Sequence, residues 1–143
     1  MDSKRKFGFR KNPDLPDWYK SIMYQLGFIK INGTERNYYV NLTDGIICKV
    51  THDGKLKALR DGATPKQYGR VKLKMKDGSF KNFYVHRLIG DYIPNPDNKP
   101  IINHKRLDKD KNSIYDLEWL TQKENVQDYY RHKKEEHNER NSG

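Results

Sequence analysis

Seven consecutive residues, 70–76, alternate strictly between cationic and apolar side chains. The cations are Arg70, Lys72, Lys74 and Lys76. Because neighbouring side chains of a β-strand point to opposite faces, the apolar residues pack on a core while the cations line the other face over about 20 Å. The pattern predicts a strand of an antiparallel sheet with one face in solvent. Its basic face is either a contact for phosphates or an ordinary solvated surface.

The segment 80–85 predicts the strand that pairs with this basic strand. A connecting loop of three residues, 77–79, places Val71 opposite Val85, whereas a loop of two residues would place lysines opposite apolar side chains. Since burial favours apolar pairs, we expect the three-residue loop, with a bulge at the turn. In that register the basic row faces Tyr84 across the hairpin, so that cations lie beside an aromatic ring.

The charge balance of the whole chain points in the same direction. Its 143 residues include 29 lysines and arginines against 19 acidic residues, a net charge of +10. This excess favours a polyanionic partner, most often nucleic acid, although a solubilising surface explains the net charge equally well. No apolar run reaches the roughly 18 residues of a membrane span, and a single cysteine, Cys48, excludes an internal disulfide. We expect neither a membrane span nor secretion.

Turn signals and hydrophobic periodicity divide the chain into four segments. They are a basic arm with a short helix (1–27), a β-rich antiparallel meander (28–85), a segment that begins with a short helix and continues as strand, loop, strand and helix (86–135), and a polar tail (136–143). In the first helix, which begins at Asp17, the apolar residues Trp18, Ile22 and Leu26 recur at helical spacing and predict its packing face.

The third segment contains a predicted hairpin followed by a helix. Residues 101–104 and 117–120 form its strands, and the capping box from Thr121 to Glu124 places the helix start at about Gln122. The apolar stripe of this helix consists of Val126, Tyr129 and Tyr130. Since the sequence beyond His132 is nearly all polar, we expect the helix to fray there.

Three polar residues of this segment have the chemistry of a metal-dependent hydrolase. Asn103 and His104 end the first strand, and Asn125 lies in the first turn of the helix, which packing across the hairpin would bring close to Asn103. Two amide oxygens suit a hard cation such as Mg²⁺ or Mn²⁺, and a neutral histidine can take a proton from water. Spacing alone also fits an ordinary hydrogen-bonding histidine, so both interpretations stay open at this point.

Five blocks in order resemble the HNH endonucleases, notably the homing type found in phage introns and as free-standing phage genes. The blocks are residues 84–88, 93–100, 103–104, 116–119 and 124–125. The β-rich stretch 38–59 also resembles the small module that precedes the nuclease motif in that family. Together the resemblance covers about residues 36–128, and an ordered run of five blocks is highly specific.

The resemblance implies an α+β protein in which an antiparallel β-rich module precedes a ββα-metal nuclease motif. It implies that His104 is the general base and that Asn103 and Asn125 hold one divalent cation, Mg²⁺ or Mn²⁺. Asn103 stands where many relatives have Asp, so a neutral ligand replaces a charged one. Asp116 takes the place of the middle Asn of the motif, where it would pin the loop by accepting hydrogen bonds.

The resemblance further implies hydrolysis of double-stranded DNA, with a nick as the product of a monomer, by a cytoplasmic phage-encoded protein in a bacterial host. The cations that we predict to contact DNA are Arg70, Lys72, Lys74, Lys76, Arg87, Lys105 and Arg106. His86 begins a helix, where we expect capping or packing rather than catalysis. Trp119 and Tyr129 are predicted to be core residues beneath the site.

Two other functions stay open on the sequence. The first is a DNA-binding protein that keeps the HNH fold but has lost efficient catalysis through the changes at Asn103 and Asp116. The second is an RNA-binding module, for which the sequence offers no motif that forms a single-strand platform. Metal-dependent strand scission separates the first from the nuclease, and competition between duplex DNA and RNA tests the second.

Overall fold

The computed structural model of the chain describes residues 15–35 and 37–141, and the structural statements that follow concern these residues. The predicted basic arm, apart from its last residues, therefore lies outside the described part of the chain. Within that part, none of the helices combines the length and the apolar character that a membrane span requires.

The described elements are three helices and eight strands. In chain order they are α1 (Asp17–Gln25), β1 (Phe28–Lys30), β2 (Tyr38–Asn41), β3 (Ile46–Val50), β4 (Leu56–Ala58), β5 (Arg70–Lys74), β6 (Phe80–Tyr84), α2 (Val85–Gly90), β7 (Ile101–His104), β8 (Leu117–Leu120) and α3 (Gln122–Asn141).

The strands form three antiparallel sheets rather than one continuous meander. Strands β1 to β4 pair in sequential order, as the meander predicts, whereas β5 pairs only with β6 and β7 only with β8 among the described strands. An isolated bridge between Thr34 and Met75 connects the first sheet to the end of β5. The predicted strand pair 101–104 and 117–120 is confirmed, with Asn103 opposite Glu118.

The predicted register of the basic hairpin is wrong by two residues. Val71 lies opposite Phe83 instead of Val85, and the three-residue loop is Lys76-Asp77-Gly78. The reason is turn chemistry: Gly78 has a φ of +88° and takes the left-handed position that follows a tight turn in such loops. Because a shift of two residues keeps every side chain on its face, the cationic row still lies across from Asn82 and Tyr84.

One hydrophobic core joins the three sheets. It receives side chains from the first sheet, both hairpins and α2: Val40, Ile47, Val71, Leu73, Val85, Leu88, Ile89, Ile102 and Leu117 are among its members. Helix α2 lies so close to β7 that a Cβ on Gly90 would come within 2.4 Å of the Ile102 side chain. This contact fixes the position of β7, the strand that carries Asn103 and His104.

Helix α1 packs through a different face from the predicted one. Trp18 and Leu26 are 63% and 61% exposed, whereas Met23 is buried and Tyr19 partly buried. Leu15, Tyr19 and Met23 recur at the same helical spacing as the predicted stripe, and this second stripe packs against the first sheet. The periodicity therefore predicts the helix correctly but does not choose between two apolar faces.

Helix α3 begins as predicted and is longer than predicted. The capping box is confirmed, since the Thr121 hydroxyl accepts the Glu124 N–H at 3.1 Å and the Glu124 carboxylate accepts the Thr121 N–H at 3.0 Å. The helix continues to Asn141 instead of fraying at His132. Lysine and glutamate favour helix even without an apolar stripe, and Lys133 pairs with Glu136 one turn on.

Gly45 lies where the first sheet approaches the loop between β7 and β8. A Cβ at this glycine would lie 2.5 Å from backbone atoms of Asn112 and Ser113, and its φ of +70° is left-handed. Beside it, the Ile114 N–H donates to the Leu42 carbonyl at 3.0 Å. The first sheet thus supports the loop that contains Asn112.

We expect Gly45→Ala to destabilise the protein by about 3 kcal/mol, because it combines an unfavourable φ with a backbone clash. Gly62→Ala is a matched control: Gly62 has a similar φ of +69° but open space around it, so its cost should be about 1 kcal/mol. Urea unfolding of both variants measures the difference. Equal losses would show that Gly45 matters only for its backbone conformation.

Candidate active site

A cleft of about 450 Å³ lies where β7, the following loop and the first turns of α3 meet. The predicted site residues Asn103, His104 and Asn125 all line it. The remaining lining residues are Tyr68, Leu107, Lys109, Val126, Tyr129 and Tyr130. The fold therefore brings together the three residues to which the sequence assigned catalysis and metal binding.

His104 is held at the end of β7 by a buried amide. Its exposed fraction is only 4%, and its Nε2 lies 2.8 Å from Oδ1 of Asn112, which is itself buried. An amide oxygen only accepts hydrogen bonds, so Nε2 carries the proton and Nδ1 keeps the lone pair of the neutral ring. Burial lowers the pKa of His104, while the bond to Asn112 opposes that shift.

His86 packs against His104 within a cluster of aromatic rings. Its ring centroid lies 5.3 Å from that of His104 and 4.7 Å from that of Tyr68. The side chain is buried, and its Nδ1 has no hydrogen-bond partner within the described residues. Burial, together with the nearby His104 and Arg87, lowers the pKa of His86 to about 4. A neutral ring that packs on His104 agrees with the expected structural position.

Two carboxylates accept hydrogen bonds from the side-chain nitrogen of Asn103. Its Nδ2 donates to Oδ2 of Asp128 at 2.9 Å and to Oε1 of Glu118 at 3.2 Å. Carboxylate oxygens accept hydrogen bonds, so the amide nitrogen must face them and the amide oxygen is left for another partner.

The cleft chemistry fits a hard divalent cation. Asn103 and Asn125 line the same cleft, and the hydrogen bonds of the Asn103 nitrogen leave its oxygen available. Amide oxygens, water and phosphate are ligands that Mg²⁺ and Mn²⁺ accept. Among residues 15–35 and 37–141, no cluster of three or more His, Cys, Asp or Glu side chains is arranged to hold a metal ion.

Asp116 closes the turn that leads into β8. Its Oδ2 accepts hydrogen bonds from the Ser113 N–H at 3.1 Å and from the Ser113 hydroxyl at 2.7 Å. Its backbone carbonyl accepts the Lys105 N–H at 2.8 Å, next to His104. These contacts use only acceptor atoms of Asp116, which is the arrangement that the sequence predicts for an acid at this position.

A series of aromatic rings connects the cleft to the basic face of the hairpin formed by β5 and β6. Arg70 lies over the Tyr84 ring, with its guanidinium carbon 5.9 Å from the centroid. The Tyr84 and Tyr68 centroids are 6.0 Å apart, and those of Tyr68 and His104 are 5.6 Å apart. The ammonium of Lys109 lies 4.4 Å from the Tyr68 centroid, so a cation also lines the cleft itself.

Six of the seven cations predicted to contact DNA are exposed: Arg70, Lys72, Lys76, Arg87, Lys105 and Arg106. The seventh, Lys74, is half-buried and forms an ion pair with Glu35 at 3.2 Å. The loop after β1 thus brings an acid beside Lys74, whose contact with DNA stays a prediction. The alternating pattern within β5 gave no sign of this distant partner.

Tyr129 is not the core residue that the sequence predicted, and four other site residues were not predicted at all. Tyr129 is 49% exposed and lines the cleft, because Asp128 occupies the buried face of α3 where an apolar stripe was expected. Trp119 is partly buried and its indole N–H donates to the Gly90 carbonyl at 3.1 Å, in agreement with a position beneath the site. The unpredicted residues are Tyr68, Lys109, Asn112 and Asp128.

The HNH resemblance implies a hairpin whose first strand ends in a histidine, followed by a helix whose first turn supplies an amide. The structure has this architecture, with His104 buried at the end of β7. Comparison with known proteins agrees. Over 86 residues the chain is 33% identical to the DNA endonuclease I-HmuI of Bacillus phage SP01, a match that covers 55% of this chain and 49% of the relative. An uncharacterised HNH endonuclease of Acanthamoeba polyphaga mimivirus is 34% identical over 84 residues, covering 54% and 25% of the two chains.

The solved structure described as DNA binding and cleavage by the HNH homing endonuclease I-HmuI is similar to this fold. The TM-score is 0.58 at 32% identity, and the match covers 70% of this chain and 55% of that one. No protein-family model matches the chain. The chain is thus a relative of the HNH endonucleases in sequence and fold, and the α+β fold class is confirmed. It spans about half or less of the length of these curated relatives.

The buried, neutral His86 has a consequence for stability. Its pKa is about 4 in the folded protein against an ordinary value of 6.5, so between these values the unfolded chain binds a proton that the folded chain does not. The free energy of unfolding should therefore rise with pH through this window, by up to about 3 kcal/mol from this residue, and level off above it.

We expect His86→Phe to reduce that rise, and urea unfolding of the variant and the parent protein at pH 4.5 and 7.5 measures it. His52→Gln, which replaces an exposed histidine, is the control. An unchanged pH dependence in His86→Phe would mean that His86 is not the group that titrates.

Proposed function

We propose that this chain is a metal-dependent HNH endonuclease that hydrolyses phosphodiester bonds of double-stranded DNA. The observation that carries the proposal is that His104, Asn103 and Asn125 line one cleft, at the end of a basic and aromatic surface. A base and two oxygen ligands beside a phosphate-binding surface are the components of hydrolytic strand cleavage. The relative I-HmuI is described as an HNH homing endonuclease that binds and cleaves DNA, which supports the same chemistry here.

The hairpin formed by β5 and β6 would bind the phosphates of the duplex. Its solvent face carries Arg70 and Lys72, each over an aromatic ring, with Asn82 opposite Lys72. Phosphate contacts position a protein on DNA without reading the sequence. Because Tyr84 and Tyr68 connect this face to His104, a strand lying along it continues into the cleft.

Within the cleft, His104 would act as the general base. Asn112 keeps Nε2 protonated, which leaves Nδ1 to take the proton from an attacking water. Burial favours the neutral ring that this role needs. Lys109, held over Tyr68 at the same cleft, supplies positive charge near the phosphate whose charge increases during attack.

Asn103 and Asn125 would hold a single divalent ion, Mg²⁺ or Mn²⁺, through their amide oxygens. When bound, such an ion stabilises the charge of the phosphate and of the leaving 3′ oxygen. The two carboxylates behind Asn103 fix that amide before substrate arrives. One such site makes one cut per encounter, so we propose nicking by a monomer as the basic activity.

Supercoiled plasmid and a library of random-sequence duplexes should be nicked in the presence of Mg²⁺ or Mn²⁺ and left intact with EDTA. His104→Ala should lower the rate at least about a hundredfold, since it removes the base, whereas the control His52→Ala should keep the parental rate. DNA binding without scission by the parent protein at every tested metal would instead indicate the catalytically impaired DNA-binding protein.

The basic face makes a separate prediction about binding. If about six cations meet phosphates, log K against log salt should have a slope near −5, and Lys72→Gln should make it shallower by about 1. Lys57→Gln, which removes the same charge from exposed strand β4, should leave the slope unchanged. Equal effects of the two substitutions, measured by fluorescence anisotropy, would show that net charge alone governs binding.

A further inference from the structure

The acid behind Asn103 is unusual for its burial. Asp128 lies on the second turn of α3 and is 8% exposed. One carboxylate oxygen accepts the Asn103 Nδ2 at 2.9 Å, and the other pairs with Arg131, whose side chain is 64% exposed. The His132 Nδ1 lies 3.4 Å from the first oxygen. The carboxylate oxygen that faces Asn103 is therefore not the one that pairs with Arg131.

This arrangement determines which way the Asn103 amide points. Asp128 and Glu118 both bind its nitrogen, and an amide turned the other way would place its oxygen against two carboxylates. The Asn103 oxygen therefore takes no part in these two hydrogen bonds and is available in the cleft before any cation binds. A ligand oriented in advance loses less conformational entropy on binding.

The hydrogen bond between Asn103 and Asp128 also affects the charge at the proposed cation site. Both amide ligands of the proposed cation site, Asn103 and Asn125, are neutral. A buried carboxylate hydrogen-bonded to a ligand increases the negative potential at that ligand, as the carboxylates behind metal-binding histidines do. The Asp128 charge lies one hydrogen bond behind the ligand instead of on it.

We propose that Asp128 is a positioning residue of the cation site: it orients the Asn103 oxygen toward the cation and supplies the negative charge that this neutral ligand lacks. The inference rests on the proposed function for the existence of the cation site. It makes the pair of residues 103 and 128 the functional unit, with Asp128 itself not in contact with the cation.

A double-mutant cycle tests this, with Mn²⁺ binding in the absence of DNA measured by electron paramagnetic resonance. Asp128→Asn should weaken Mn²⁺ binding about tenfold in the parent protein. In the Asn103→Asp background the ligand has its own charge, and its second oxygen replaces the nitrogen that Asp128 and Glu118 accept from. There the same substitution also relieves a repulsion, so it should weaken binding less than twofold or not at all. Arg131→Gln is the matched control, since it removes the ion pair of Asp128 without touching Asn103, and it should not weaken binding.

Equal effects of Asp128→Asn in the two backgrounds, or no effect in the parent, would overturn the inference. Thermal unfolding of the four proteins of the cycle, measured without metal, covers the case in which Asp128→Asn alone fails to fold. In that case the double variant, Asn103→Asp with Asp128→Asn, should recover folding. A double variant that does not fold also overturns the inference. Unaltered Mn²⁺ binding by Asp128→Asn with continued plasmid nicking defeats only this inference. Absence of millimolar Mn²⁺ binding by the parent protein defeats the cation site and the proposed function together.

Discussion

The candidate site depends on the rule that buried polar groups must be hydrogen-bonded. His104, Asn112, Asn103 and Asp128 are each more than 90% buried, and each would cost free energy without a partner. They satisfy one another in two pairs, His104 with Asn112 and Asn103 with Asp128. The first pair ties β7 to its loop and the second ties β7 to α3, so the bonds that make burial tolerable also set the geometry of the cleft.

The β-rich module contributes to this geometry as support as well as surface. Gly45 lets the first sheet approach the backbone at Asn112, the residue that fixes the tautomer of His104. The hydrogen bond from the Ile114 N–H to the Leu42 carbonyl holds the same loop two residues further on. The hydrophobic core is also shared between the sheets, so the β-rich stretch and the nuclease motif pack together.

Features encoded over a few residues were predictable. The hairpin of β7 and β8, the capping box at Thr121 and the faces of β5 follow from local periodicity and turn chemistry, and the structure agrees with them. The register of β5 was missed because two three-residue loops both keep apolar residues on one face, and only the left-handed Gly78 decides between them. The packing face of α1 was missed because two apolar stripes have the same period.

The unpredicted site residues share a different cause, which is distance along the chain. Tyr68 reaches His104 from the segment before β5, and Asp128 reaches Asn103 from another element. A tyrosine in a loop and an acid on a polar helix are ordinary in sequence. What distinguishes them is burial or ring contact beside the site, and both depend on how the three sheets and α3 pack.

Charges of both signs lie close to the cleft, which the alternation within one strand could not reveal. Lys109 and Arg70 lie on the aromatic surface at the opening, where phosphates would arrive. Glu118 and Asp128 accept hydrogen bonds from the amide nitrogen of Asn103. The proposed site would hold a cation and a phosphate and would need both signs of charge nearby, and of these three residues Asn103 alone is among those that line the cleft. The negative charge of Asp128 then lies one hydrogen bond away from the proposed ligand rather than on it.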